Sequence, residues 1–179
     1  MTASLATVAD HPSRRGLPPE VTMRARRLSR AYDELGVDDD AQARVPCAAL
    51  LTEIATRLAD IFGRSRQVAI TVSAGVVLLP SDVRRALLLM ASELVINALK
   101  YGYPAEAGGT IAVGLAAGDG AVELVVEDDG VGRVEHYRAG QGGGLLEQLG
   151  VVLGATIART QGRSGQGFRV SILMPVDVP

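Results

Sequence analysis

Glu93, Asn97 and Lys100 recur at spacings of four and three in an otherwise apolar segment, Ser92-Glu93-Leu94-Val95-Ile96-Asn97-Ala98-Leu99-Lys100-Tyr101. On an α-helix that spacing projects all three side chains from one face in successive turns. A carboxylate, an amide oxygen and an ammonium in a row can order water, ligate a hard cation and meet a phosphate. Magnesium prefers oxygen ligands and keeps several of its waters, so one amide oxygen plus substrate phosphates is a workable site. A solvated helix face is the plainer alternative for the same spacing. Composition favours chemistry: of 18 basic residues only Lys100 is a lysine, and Asn97 is the one asparagine in the chain. A GC-rich genome explains an excess of arginine. It does not explain why the two exceptions lie three residues apart.

A second signal lies in Val122-Glu123-Leu124-Val125-Val126-Glu127-Asp128-Asp129-Gly130-Val131-Gly132. Side chains alternate along a strand, so Val122, Leu124 and Val126 form one series and Asp128 is its next member. Glu123, Glu127 and Asp129 fall in the other, polar series. Asp128 is therefore expected to point inward where the strand ends. A buried carboxylate is costly unless a donor meets it, and in a pocket that donor can be a ligand amine such as that of adenine. Gly130 and Gly132 allow the backbone to approach such a ligand closely. The plainer reading is a strand followed by an Asp-Gly turn.

A third signal, Gly140-Gln141-Gly142-Gly143-Gly144-Leu145, opens a short apolar helix. Free N–H groups at a helix start reached through glycines can hold an anion. No Gly-Lys-Ser/Thr follows, so this is not a Walker A loop, and no strand leads straight into it, as a dinucleotide-binding turn requires.

The elements that must carry these residues read as follows. Residues 1–19, with His11-Pro12 and Pro18-Pro19, suit a flexible lead-in. Glu20 to Leu35 suits a basic helix, and Val45 to Phe62 shows helical spacing of Leu50, Leu51, Ile54, Leu58, Ile61 and Phe62. Gln67 to Val72 alternates as a strand. The long helix opens at Pro80-Ser81-Asp82 and runs to about Tyr101, burying Leu87, Ala91, Leu94, Val95 and Ala98. Thr110–Ala116 and Ala121–Glu127 form a hairpin through Gly118-Asp119-Gly120. Leu145 to Leu153 is a short helix, and Ala155–Thr160 pairs with Phe168–Met174 through Gln161–Gly167. Helices first and antiparallel strands later give an α+β class: a two-layer sandwich of helices on a mixed, mostly antiparallel sheet.

The 179 residues suit one domain with a short extension, and 47% hydrophobic with 21% charged residues is ordinary globular usage. The net charge of −2 offers no electrostatic footprint for nucleic acid. No stretch of about 18 uncharged apolar residues suggests a membrane span. Cys47 is the single cysteine, which excludes a disulfide framework and points to a reducing cytoplasm. No cluster of catalytic His and Cys argues for a metabolic enzyme of this class.

Taken in order, Glu93-x-x-x-Asn97-x-x-Lys100-Tyr101, Asp128-x-Gly130-x-Gly132 and Gly140-x-Gly142-x-Gly144-Leu145 resemble the N, G1 and G2 boxes of the GHKL (Bergerat-fold) ATPases. The nearest likeness is to the catalytic ATP-binding domain of bacterial sensor histidine kinases of the HWE-like kind. Gly165-Gln166-Gly167-Phe168, leading into Ile172-Leu173-Met174-Pro175, is similar to their last-strand motif. The resemblance covers about residues 46–176 and divides the chain into a lead-in (1–19), a helical remnant of a dimerisation region (20–45) and a catalytic domain (46–179).

The resemblance implies a Bergerat fold binding ATP and Mg2+, with Asn97 as the Mg2+ ligand and Glu93 as the catalytic group that orients or activates beside it. Lys100 would touch the phosphates and Tyr101 would flank the nucleotide. Asp128 would accept from the adenine amine, and Gly130, Gly132, Gly142, Gly144 and Leu145 would shape the lid and the nucleotide site. The partner would be a protein phosphoacceptor in two-component signalling, with residues 20–62 offering a homodimer surface. Three departures stand out. Gln166 replaces the usual Thr, the segment from Arg133 to Ala139 is short, and no acceptor-histidine box is present, since only His11 and His136 exist. The alternative is therefore an anti-sigma-type serine/threonine kinase, or a phosphotransfer or partner-binding module that kept the fold.

Overall fold

The structure, a computed structural model, describes residues 46–60, 67–103, 108–132 and 142–175. The expected lead-in, the helix over 20–35 and both histidines lie outside the described residues. The chain begins with helix α1 (Cys47–Leu58), whose apolar stripe buries Cys47, Leu51, Ile54 and Ala55. Leu50 and Leu58 pack partly buried at its margin. Strand β1 (Val68–Ala74) follows, with Val68, Ile70 and Val72 turned inward as the alternation requires.

Helix α2 (Ser81–Asn97) is the central element. It buries Arg84, then every residue from Ala86 to Ser92, then Leu94 and Val95. Burial on all sides rather than along one stripe is what a helix shows when it lies between a sheet and other helices. The expected core positions Leu87, Ala91, Leu94, Val95 and Ala98 are all at most 2% exposed. Regular α geometry stops at Asn97, however, and the chain continues as one wide π turn over Ala98–Gly102. The helix expected to run evenly to about Tyr101 instead changes pitch within its polar motif.

Strands β2 (Gly109–Gly118) and β3 (Ala121–Asp128) form the expected hairpin. Its two turn residues, Asp119 and Gly120, have φ of 50° and 72°. Both signs are positive, which suits the type I′ turn that matches strand twist and explains the Asp-Gly pair. Helix α3 (Gly142–Val152) and the hairpin of β4 (Thr156–Gln161) and β5 (Phe168–Pro175) complete the chain. Five strands lie in the order β1-β2-β3-β5-β4; β1 runs parallel to β2, and every other pair is antiparallel.

Cross-strand partners share a face, so the registers define two surfaces. Leu115, Leu124 and Ile172 stand in one row of the inner face, with Val113, Val126 and Val170 in the next. All six are at most 4% exposed and pack under the helices. The outer face carries Glu123, Glu127 and Arg169, where Arg169 Nη1 reaches Glu127 Oε2 at 2.8 Å. Among the described residues no helix is long and apolar enough to cross a membrane.

Leu124 occupies the middle of this inner face, without measurable exposure. Leu124→Ala is expected to cost about 2–5 kcal/mol through lost transfer and an incompletely collapsed cavity. Equilibrium urea unfolding with an unchanged slope checks this, and a cost well under about 1 kcal/mol would contradict the central placement.

Candidate functional site

Asp128 ends β3 at the inner face, where its register partners are Ile111 on β2 and Phe168 on β5. It is 3% exposed, between two side chains that are themselves buried. The alternation that buries Val122, Leu124 and Val126 thus carries a carboxylate inside, as the sequence phase requires. Oδ1 accepts from the Gly130 backbone N–H at 3.0 Å. Loss of water pushes its pKa up to about 6; backbone hydrogen bonds from Gly130 and Phe168 pull the other way, and the charges of Asp129 and Glu127 add to the rise.

Three consecutive acidic residues act in three directions. Glu127 faces the outer side, where it takes Arg169 and the Arg163 backbone N–H at 2.6 Å, anchoring the β4–β5 turn. Those donors hold its pKa down despite partial burial. Asp129 turns to the strand edge: its Oδ1 accepts from the Thr110 backbone N–H and the Tyr103 hydroxyl, each at 2.8 Å. Burial, followed by the hydrogen bond to Asp129, pushes the Tyr103 phenol well above its usual range, so it stays a donor.

Beyond β3 the chain folds back onto the π turn. The Val131 N–H donates to the Gly102 carbonyl at 2.8 Å, and a Cβ at Gly130 would collide with that same carbonyl. Gly167 is under a similar demand: its φ is +73°, and a Cβ there would strike the Asp128 carbonyl. A cavity of about 510 Å³ opens here, between Gly102 and Tyr103, the run from Asp129 to Gly132, and the turn carrying Gln161, Gln166 and Gly167.

The structure brings Asp128, Gly130 and Gly132 together. Gly130 and Gly132 line this cavity, and Asp128 lies directly behind Gly102 and Gly130, since a Cβ on Gly102 would sit 3.2 Å from Asp128 Oδ1. Glu93 and Asn97 are half-buried on α2, while Lys100 and Tyr101 are exposed. The wide turn advances each residue less around the axis, so Lys100 leaves the strict stripe shared by Glu93 and Asn97. None of these four lines this cavity. Gly142 and Gly144 fall in the first turn of α3, and Gly144 faces open space. Leu145 is buried in the core at 3% exposure, where it anchors the first turns of α3. Sequence reasoning gave no role to Tyr103 and placed Asp129 only in the polar series. The doubled Asp at a strand end was the available signal, because adjacent side chains must serve opposite faces.

Residues 54–171 match the histidine kinase-like ATPase domain. The chain belongs to that family. A blue-light-activated histidine kinase from Erythrobacter litoralis (strain HTCC2594) is 29% identical over 164 residues, covering 87% of this chain and 46% of that protein. The chain therefore spans about half the length of this curated relative. Among solved structures, the histidine kinase domain of an Erythrobacter litoralis blue-light-activated histidine kinase superposes with a TM-score of 0.70 at 28% identity, covering 88% of this chain and 80% of that one. The Acinetobacter baumannii histidine kinase AdeS, at 16% identity and a TM-score of 0.61, shares the fold. It covers 91% of this chain and 88% of its own. The α+β frame of helices over a mixed five-stranded sheet is the GHKL ATPase fold.

In a GHKL domain free of ligand, the buried carboxyl has a cost that depends on pH. A carboxyl whose folded pKa exceeds its unfolded value favours the fold when protonated. For Asp128, raised from 3.8 to about 6, that contribution is complete below about pH 4 and is lost as pH rises through 6. The difference corresponds to about 3 kcal/mol. Asp128→Asn is expected to be more stable than the parent at pH 8 by up to that amount, with the gap closing near pH 4. Denaturant titrations at the two pH values check it; a gap independent of pH would contradict the burial of a charge.

Proposed function

We propose that the chain binds ATP with the adenine amine donating to Asp128, and passes the γ-phosphoryl group to a histidine on a protein partner. The observation that carries this reading is a carboxylate only 3% exposed beside a glycine-walled cavity, on the frame of a kinase-related ATPase family. A buried acceptor with a raised pKa and few donors gains most from a ligand amine. Among the described residues the lining offers Tyr103, Asp129, Gln161 and Gln166 but no cation, which suits the base end of a nucleotide rather than its phosphates.

The phosphates would extend toward Asn97 and Lys100 on α2 and the glycine start of α3, whose free N–H groups favour anions. Among the described residues no three His, Cys, Asp or Glu side chains come together as a metal cage. That fits an ion held chiefly by phosphates and water with Asn97 as its protein ligand. Mg2+ supplies charge neutralisation at the phosphates when bound. Glu93, one turn before Asn97 and half-buried, would orient the attacking group. An acceptor imidazole nitrogen forms the bond to the γ-phosphorus as the bond to the β,γ-bridging oxygen breaks, and ADP leaves with that electron pair. Positioning and charge neutralisation dominate such a transfer.

The chain spans 46% of that relative; in this reading the acceptor would lie elsewhere in a longer protein or on another chain, and residues 20–62 would supply a homodimer surface. A fluorescent ATP analogue with Mg2+ should bind saturably. Asp128→Asn should weaken binding at least about tenfold, and Asn97→Ala should remove its Mg2+ dependence. Affinity should fall as pH drops through about 6, because a protonated Asp128 accepts the amine poorly. Absence of binding, or binding indifferent to Asp128→Asn, would sink the reading. With labelled ATP and candidate partners, acid-labile label supports transfer to histidine, whereas acid-stable label on Ser or Thr would favour the anti-sigma-type alternative.

A further inference from the structure

Strand pairing between β2 and β3 ends at Ile111 opposite Asp128. Beyond that point a side chain takes over the ladder. Asp129 Oδ1 accepts from the Thr110 N–H, its own N–H donates to the Thr110 carbonyl at 3.3 Å, and the Tyr103 hydroxyl stands 2.8 Å from both Asp129 Oδ1 and the Thr110 carbonyl. Tyr103 is 5% exposed and directly follows Gly102. Gly102 in turn grips Val131 through its carbonyl, and the intervening Gly130 offers its N–H to Asp128. Tyr103, Asp129, Gly130 and Gly132 all border the cavity. A continuous set of contacts therefore runs from the outward carboxylate to the inward one.

We propose that Asp129 is a positioning residue for nucleotide binding: by latching Tyr103 and Thr110 it fixes the π turn against Gly130 and so holds Asp128 aimed at its ligand. This rests on the ATP-binding reading above and goes further, because it assigns Asp129 a role exercised through the turn it holds rather than through the adenine amine. The latch needs an oxygen acceptor rather than a charge, since both of its donors, a backbone N–H and a phenol, are neutral. Local rigidity is what such a shell of supporting bonds supplies to a binding group.

The test uses the full chain with Asp129→Ala, Asp129→Asn and Tyr103→Phe, and with Asp119→Asn at the far hairpin as a control. Affinity for the fluorescent ATP analogue with Mg2+ is measured well below each melting temperature. Hydrogen exchange of the Gly130 amide is followed in the ligand-free protein. Asp129→Ala should weaken binding about tenfold and speed Gly130 exchange, while Asp129→Asn, which keeps the accepting oxygen, should stay within about threefold of the parent in both. Tyr103→Phe should fall between them, and it keeps the proposal testable if Asp129→Ala does not fold. A purely structural role would lower the melting temperature and leave affinity unmoved, which would overturn the proposal. So would Asp129→Asn behaving as badly as Asp129→Ala. If the parent itself binds no ATP, the functional reading fails, and unchanged Gly130 exchange in Asp129→Ala separately disproves the latch.

Discussion

A single carboxylate inside an apolar row constrains the whole functional end of this molecule. Asp128 stands between Ile111 and Phe168, both at most 2% exposed, and removing a carboxylate from water there is expensive. The fold meets that cost only in part, through backbone donors at Gly130 and Phe168, and leaves the carboxyl with a raised pKa. The surrounding peculiarities follow from this placement. Gly130 must lack a side chain so that its N–H can lie over Asp128 while its Cα meets the Gly102 carbonyl, and Gly167, left-handed in conformation, must lack one because a Cβ there would strike the Asp128 carbonyl. A group left under-satisfied in the free protein is one whose partner is expected from outside.

The π turn at Ala98–Gly102 belongs to the same constraint. Widening a helix by one residue changes which carbonyls remain free at its end, and such turns recur at functional sites. Here the Gly102 carbonyl becomes the acceptor for Val131, tying the end of α2 to the segment after β3. The polar motif of α2 and the acidic end of β3, separate in sequence, are thereby joined by one backbone hydrogen bond. Glu93 and Asn97 stay half-buried on the regular helix, while Lys100 is released to solvent.

This also explains what could be read from the residues alone. Period-two alternation placed Asp128 inside, because Val122, Leu124 and Val126 set a phase that the next residue in the series cannot escape. The Asp119-Gly120 turn was legible because only a few residue types accept positive φ at both positions. The family likeness was legible because its boxes are short and contiguous. The π turn was not, since nothing in Ala98–Gly102 departs from good helix spacing and the partner of its last carbonyl, Val131, lies far along the chain. Nor was the work of Asp129: alternation says only that it faces away from the core, and its partners Thr110 and Tyr103 are brought to it by the end of the β2–β3 ladder and the segment after the π turn.

Because side chains alternate, a slip of β3 by one residue would turn Glu123, Val125, Glu127 and Asp129 inward and expel Asp128. Val125 and the small Ala121 would then be the apolar side chains of the strand's inner face, where Val122, Leu124 and Val126 now stand. That loss fixes the register along the middle of the strand, and the polar neighbours fix it at the functional end. Glu127 is committed to Arg169 and the Arg163 backbone on the outer face, and Asp129 to Thr110 and Tyr103 at the end of the strand pair. Either residue moved inward would abandon two donors and bury an uncompensated charge. The run Glu127-Asp128-Asp129 thus reads as one device. Its outer members fix the register in which the middle one is buried.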